Sequence, residues 1–256
     1  MTIHEFGKEN EKAVLLIHPS CVMWDYFEYV IPLLEKRFHL IVPALPGYDK
    51  DRKSDFESVE KTADELTKHI MENIKKEIAC IYGCSMGGSI IIRMLAEGRI
   101  KPESAVIDGG IAPYRMPYIL TRFIAVKDFI LIMLGKAGGA KLLQRAFTTD
   151  NYSKKELEYI AVVLKMMSAR TVWNTFDSCN NFSLPATNKT GCENIEYWYA
   201  ESETKDREKD IKFVKNNIPN IRFKMFKGIG HGGLATKLPD TFAKEITRMC
   251  ERTKND

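Results

Sequence analysis

The residues best suited to chemistry are Gly83-Cys84-Ser85-Met86-Gly87, with Gly88 behind them. A serine flanked two residues away on each side by glycine can present its hydroxyl as a nucleophile, provided the chain turns sharply there. The neighbours supply that turn. Ile78-Ala79-Cys80-Ile81-Tyr82 is a continuous apolar run that reads as a buried strand, and residues 89–97 read as a helix. A strand that passes at once into a helix brings two backbones close, and glycine removes the Cβ atoms that would collide. Ser85 is then held on a strained turn beside the positive end of a helix.

A serine hydroxyl attacks well only with a base in hydrogen-bond reach, usually histidine. Of five histidines, His4 lies in a polar N-terminal segment, His39 starts a strand, and His69 sits on a helix with Lys68 and Glu72. Structural or solvent roles suit these three. His18 follows the first apolar run and is read as a brace for its loop. His231 stands in Gly228-Ile229-Gly230-His231-Gly232-Gly233, after the last strand and before the final helix, where the glycines leave an imidazole room to move. It is the candidate base. The acid that orients it should fall between Ser85 and His231, in a loop after a strand. Glu203, beyond Tyr197-Trp198-Tyr199-Ala200, is preferred, with Glu201, Asp206 and Asp108 as alternatives. Two backbone N–H groups must meet the oxyanion of an acyl-transfer intermediate. Met86 directly follows the nucleophile. The second should come from His18-Pro19-Ser20-Cys21: Pro19 has no N–H, so Ser20 is chosen, with Cys21 behind it.

Six short apolar runs must position these groups. They start at Ala13, His39, Ile78, Ala105, Ile195 and Ile221, and the first four are nearly uninterrupted, as parallel strands covered on both faces are. Helical spacing links them. Val59, Ala63, Leu66 and Ile70 share one face, and so do Phe242, Ile246, Met249 and Cys250 after Pro239. The expected fold is α/β, a doubly wound, mostly parallel sheet. Residues 111–193 break the alternation and read as helices. Ser153-Lys154-Lys155-Glu156 is a capping box ahead of a Leu157, Ile160, Ala161, Leu164, Met167 stripe, and Val172, Trp173 and Phe176 mark another helix. The organisation read from this is a core at 1–110 and 194–256, with a helical cap at 111–193 over the sheet edge where such folds bind ligands.

The 256 residues, 45% hydrophobic and 28% charged, suit one such domain with its insertion. The net charge of +4 reads as solvated helix faces and not as a nucleic-acid stripe. No signal-peptide pattern opens the chain, and the most apolar stretch, residues 129–134, is too short to span a bilayer. Cys21, Cys80, Cys84, Cys179, Cys192 and Cys250 show neither C-x-x-C spacing nor zinc-ligand histidines, which points to free thiols in a reduced cytoplasmic setting and to no metal site. The Asn151, Asn181 and Asn188 triplets are given no glycosylation role without a secretory signal. A homo-oligomer is possible on this composition.

With these parts in this order, the chain resembles the α/β-hydrolase superfamily, in its capped, serine-nucleophile branch. The likeness runs from Ala13 to about Cys250 and includes the Pro43-Ala44-Leu45-Pro46-Gly47-Tyr48 turn. Three departures stand out: Pro19 where the family usually has glycine, Ala44 where it often has an acid, and glutamate where aspartate is the commoner third member. The resemblance implies a Ser85-His231-Glu203 hydrolase working through an acyl-enzyme on a carboxylic ester or thioester, with no metal or organic cofactor. Serine in place of a nucleophilic aspartate argues against the haloalkane-dehalogenase and epoxide-hydrolase branches. Aminopeptidases, carbon–carbon bond hydrolases, cofactor-free peroxidases and non-catalytic ligand receptors share the same parts. Met116, Phe123, Phe129, Met133, Met166, Met167, Trp173 and Phe176 in the cap suggest a small-molecule substrate with an apolar acyl or alkyl group.

Overall fold

The computed structural model describes residues 1–114, 117–146, 153–185 and 190–251; Met116, Asn151 and Asn188 lie outside them. One sheet of seven strands has the order β1-β3-β2-β4-β5-β6-β7. The strands are β1 (Thr2–Phe6), β2 (Lys12–Ile17), β3 (His39–Ala44), β4 (Glu77–Cys84), β5 (Ser104–Asp108), β6 (Asn194–Ala200) and β7 (Arg222–Phe226). All neighbours pair in parallel except β1, which runs antiparallel along β3 with Thr2 opposite Ala44 and Phe6 opposite Leu40.

β1 is an addition to the six strands expected. Its Thr2-Ile3-His4-Glu5-Phe6 mixes polar and apolar side chains and is only half-buried at a sheet edge, so no apolar run announces it. His4 stacks on Trp24 with ring centroids 3.9 Å apart, and Glu5 meets the buried His39 at 2.8 Å.

Nine helices occur among the described residues: α1 (Ile31–Leu34), α2 (Val59–Asn73), α3 (Met86–Glu97), α4 (Tyr118–Ala146), α5 (Lys154–Met166), α6 (Ala169–Asn181), α7 (Glu208–Asn217), α8 (Leu234–Lys237) and α9 (Pro239–Glu251). Successive strand residues point to opposite faces, so β2 feeds two cores. Leu15 and Ile17 pack with Leu66 of α2 and Ile90 of α3, while Val14 and Leu16 pack with Phe27 and Phe242 of α9. Sequence signals set the helix starts. The Ser58 hydroxyl accepts from Lys61 N–H at the head of α2, Pro239 fits the first turn of α9, and the Ser153/Glu156 capping box opens α5. α3 begins at Met86, three residues earlier than the sequence reading, because the serine itself ends the strand.

Helices α4, α5 and α6 fill the interval between β5 and β6. α4 is interrupted at Gly139, whose φ of 61° and ψ of −160° no helix accommodates. α6 packs on α2 and α3 and is fastened to the core by polar contacts: Tyr48 Oη to Thr175 Oγ1 at 2.7 Å, and Val59 N–H donating to Ser178 Oγ at 2.8 Å. On α5, the Tyr159 hydroxyl accepts from Met23 N–H at 3.0 Å and donates to Asp25. Among the described residues no helix is long and apolar enough to cross a membrane.

Candidate active site

β4 delivers Ser85 to the carboxyl edge of the sheet. Its φ of 52° and ψ of −113° lie in a region costly for a side chain-bearing residue, as expected of a functional turn. Steric limits explain the glycines. A Cβ on Gly83 would sit 2.2 Å from the Gly87 carbonyl oxygen, and one on Gly87 would sit 2.5 Å from that of Ile17. Ser85 N–H donates to the Asp108 carbonyl at 2.8 Å, tying the turn to the end of β5. The first bond of the helix ladder runs from Ser89 N–H to the Ser85 carbonyl, so the Met86, Gly87 and Gly88 amides precede it at the positive pole of α3.

The carboxyl end of β6 passes into a short 3-10 turn, Glu201–Glu203. Glu203 is buried there. Its Oε1 accepts from Ala200 N–H at 3.0 Å, and its Oε2 lies 2.6 Å from His231 Nδ1. Arg207, four residues on, places Nε 3.5 Å from the same oxygen. Burial alone would raise the Glu203 pKa, but the imidazole bond and charge, the Ala200 amide and the guanidinium outweigh it, so the carboxyl lies below its ordinary value. Gly109, with φ of 57°, makes room for this pair: a Cβ there would be 2.9 Å from His231 Cε1. The histidine loop is held from two sides, by Tyr26 Oη donating to the Gly232 carbonyl at 2.7 Å and by Ser202 Oγ donating to that of Ile229 at 3.2 Å.

The alternative acids lie elsewhere. Glu201 is exposed and faces Lys227 at 3.8 Å, and Asp206 is exposed. Asp108 is buried and takes a 2.6 Å hydrogen bond from the Tyr82 hydroxyl. Its pKa is pushed up to about 6, first by burial and further by the Glu203 charge, against the Tyr82 bond and His231.

His18 is fully buried and stays neutral, its pKa lowered to about 4 by burial against the Pro19 carbonyl's opposing pull. Leu45 N–H donates to Nε2 at 3.4 Å, which assigns the ring proton to Nδ1, 2.8 Å from the Pro19 carbonyl oxygen. The carbonyl and N–H of a trans peptide point in opposite directions, so His18 turns Ser20 N–H away from the core.

Ser85, His231, Pro19, Ser20 and Cys21 share the wall of one cavity of about 1480 Å³. α4 and α5 give it an apolar side with Ile124, Ile132, Ile160 and Leu164, while residues 205–210 give it a charged one. Of the residues expected to form an apolar pocket that are described, only Phe176 lines it. Phe123 is exposed, Phe129 packs edge-on against Trp173, and Met167 is buried in the core. Composition marked the insertion as rich in apolar residues but could not tell which of them face the cavity. Among the described residues, no three His, Cys, Asp or Glu side chains cluster as metal ligands.

The family model described as the alpha/beta hydrolase family matches residues 14–188. The chain belongs to the alpha/beta hydrolase family. Solved structures similar to it include an alpha/beta hydrolase family protein from Desulfitobacterium hafniense, 18% identical over 97% of this chain and 99% of that one, with a TM-score of 0.72. A bromoperoxidase from Bacillus anthracis is 18% identical over 98% and 95%, with a TM-score of 0.74. An esterase from Exiguobacterium antarcticum is 15% identical over 98% and 95%, with a TM-score of 0.72. At such identities the likeness is one of fold.

Several residues around the site were not singled out by sequence reasoning. Tyr26 has no motif around it, and Tyr82 reads only as the end of an apolar run. Arg207 and Asp210 fall in Lys205-Asp206-Arg207-Glu208-Lys209-Asp210, which reads as a solvated charge run. Yet Arg207 Nη1 meets Asp210 Oδ2 at 3.1 Å, and Asp210 Oδ1 accepts from Ala112 N–H at 2.8 Å, which ties the Glu203 neighbourhood to the start of the insertion. The signal was the spacing: Arg207 stands one helical turn beyond Glu203.

Proposed function

We propose that the protein is a serine hydrolase that cleaves a carboxylic ester or thioester through an acyl-enzyme, with residues 111–193 as a cap over the site. The observation that carries this reading is the 2.6 Å contact of His231 Nδ1 with Glu203, at the wall of the cavity that Ser85 also lines. With Nδ1–H directed at the carboxylate, Nε2 keeps its lone pair and serves as the base. His231 takes the Ser85 proton as Oγ attacks the carbonyl carbon, and Glu203 stabilises the imidazolium. The Met86 and Ser20 N–H groups receive the oxyanion. On collapse, His231 returns the proton to the leaving alcohol or thiol. Water then adds to the acyl-serine by the same route and releases the acid. The apolar side of the cavity suits an acyl or alkyl chain. A reduced, cytoplasmic setting remains part of this proposal.

A fluorophosphonate probe tests the reading. Covalent labelling at Ser85, with p-nitrophenyl ester hydrolysis lost by several powers of ten in Ser85→Ala, is the expected result. An unlabelled Ser85, or a Ser85→Ala protein with near-native hydrolysis, would leave a ligand-binding role or another nucleophile.

A further inference from the structure

α4 carries apolar side chains on opposite faces, and in water each such face calls for a partner. Only one side has them. At 100° per residue, Thr121, Ala125 and Ile132 share a face that is buried or lines the cavity. Ile119, Phe123, Val126, Ile130 and Leu134 follow one another at spacings of four, three, four and four on the opposite face, and all are exposed. Ile119 is 83% and Phe123 69% accessible, values far from those of a packed helix. A continuous stripe of this kind marks an interaction surface, unlike scattered surface apolar residues.

Charge distribution narrows the partner. The net +4, read from the sequence as spread along the chain, is concentrated here. Residues 111–193 carry eleven Lys and Arg against six Asp and Glu, whereas the remaining chain carries 27 against 28. α4 itself has Arg122, Lys127, Lys136, Lys141 and Arg145 against Asp128 alone. Arg122 is partnered by Asp177 and Lys127 by Asp128, and the Lys136 ammonium is bound to the Met167 carbonyl, so among the described side chains the exposed Lys141 is the cation left to reach outward. A second copy docked through this stripe would bring one basic insertion against another. An anionic lipid surface complements both features, accepting the apolar stripe below the headgroups while lysine stems extend to phosphate. Leu120 joins the two faces, being both exposed and part of the cavity wall.

We infer that α4 is an interfacial helix whose outer stripe seats the protein on an anionic bilayer beside the mouth of the cavity. A substrate with an apolar chain could then pass from the lipid along Leu120 to the site without crossing water.

Vesicle flotation tests this independently of catalysis, because it reads binding alone. The full chain should float with phosphatidylglycerol–phosphatidylcholine vesicles at low salt, float less at high salt, and stay behind with phosphatidylcholine alone. The triple variant Ile119→Asn, Phe123→Asn, Ile130→Asn should lose roughly tenfold or more of the bound fraction, while its circular dichroism and melting temperature match wild type. Lys141→Gln should weaken binding to the anionic vesicles only. Wild-type protein that stays behind with phosphatidylglycerol vesicles, or a triple variant that floats as well as wild type, would overturn the inference. So would a lipid-free dimer, seen by sedimentation, that the triple variant dissociates, since the stripe would then belong to a second copy.

Discussion

The carboxyl ends of β5 and β6 lie side by side, each with a buried acid, and the two acids have opposite electrostatic fates. Asp108 ends β5 with one donor, the Tyr82 hydroxyl, and its pKa rises to about 6. Glu203 follows β6 with an amide, an imidazole and a nearby guanidinium, and its pKa falls. Burial opposes ionisation of both, and at Asp108 the Glu203 charge adds to it. The number of donors aimed at the carboxylate decides which acid is held ionised and fit to pair with a histidine.

The largest effect should come from removing the charge at the end with more donors. Glu203→Gln keeps the volume and leaves His231 without its counter-charge, so kcat should fall by roughly a hundred- to ten-thousand-fold while the melting temperature changes little. Asp108→Asn should keep kcat within about tenfold of wild type. Esterase assays on the two variants side by side decide the matter: a crippled Asp108→Asn with a near-silent Glu203→Gln would move the acid to β5.

Stability against pH sharpens the same contrast. Asp108 has a folded pKa near 6, above its ordinary 3.8. The native state therefore holds a proton that the unfolded chain releases. This group favours folding most at low pH, and that advantage is lost as pH rises from about 4 to about 6. Asp108→Asn cannot ionise and still accepts from Tyr82, so it should melt higher than wild type at pH 7.5, by up to about 3 kcal/mol in stability, and lose that gain at pH 4. Glu203 works in the other direction, its contribution present above the ordinary carboxylate range and lost as pH falls through its lowered pKa. The smallest expected change is that of Tyr82→Phe. It removes Asp108's donor, costs about 1–2 kcal/mol in thermal denaturation, and leaves kcat near wild type. A catalytic loss matching that of Glu203→Gln would join the two strand ends into one functional unit.

The sheet and the Ser85 turn were legible because their physics is local. Uninterrupted apolar runs mark β2 to β5, and the glycine spacing around Ser85 reflects backbone contacts within a few residues. Glu203 could be placed because β6 ends in a recognisable aromatic run. β1 escaped notice because an edge strand needs no continuous apolar pattern. Arg207 and Asp210 escaped it because a charged segment looks the same whether its members face water or a buried carboxylate. The insertion was visible as helices, but α4 has apolar residues on opposite faces, and periodicity cannot orient a helix without one dominant apolar face. Phe123 was therefore expected inward and lies outward.

The placement of the insertion also sets a schedule. During synthesis, β1 to β5 and the Ser85 turn emerge first, and some eighty residues of the insertion follow before β6. Glu203 and His231 come later still, just beyond the last two strands. A nascent chain can thus shape its nucleophile turn long before it owns a base. On the proposed triad, a truncated or stalled product would be an inert fold with a poised but unactivated serine. Turnover would then report on chains finished through β7 and the loop beyond it.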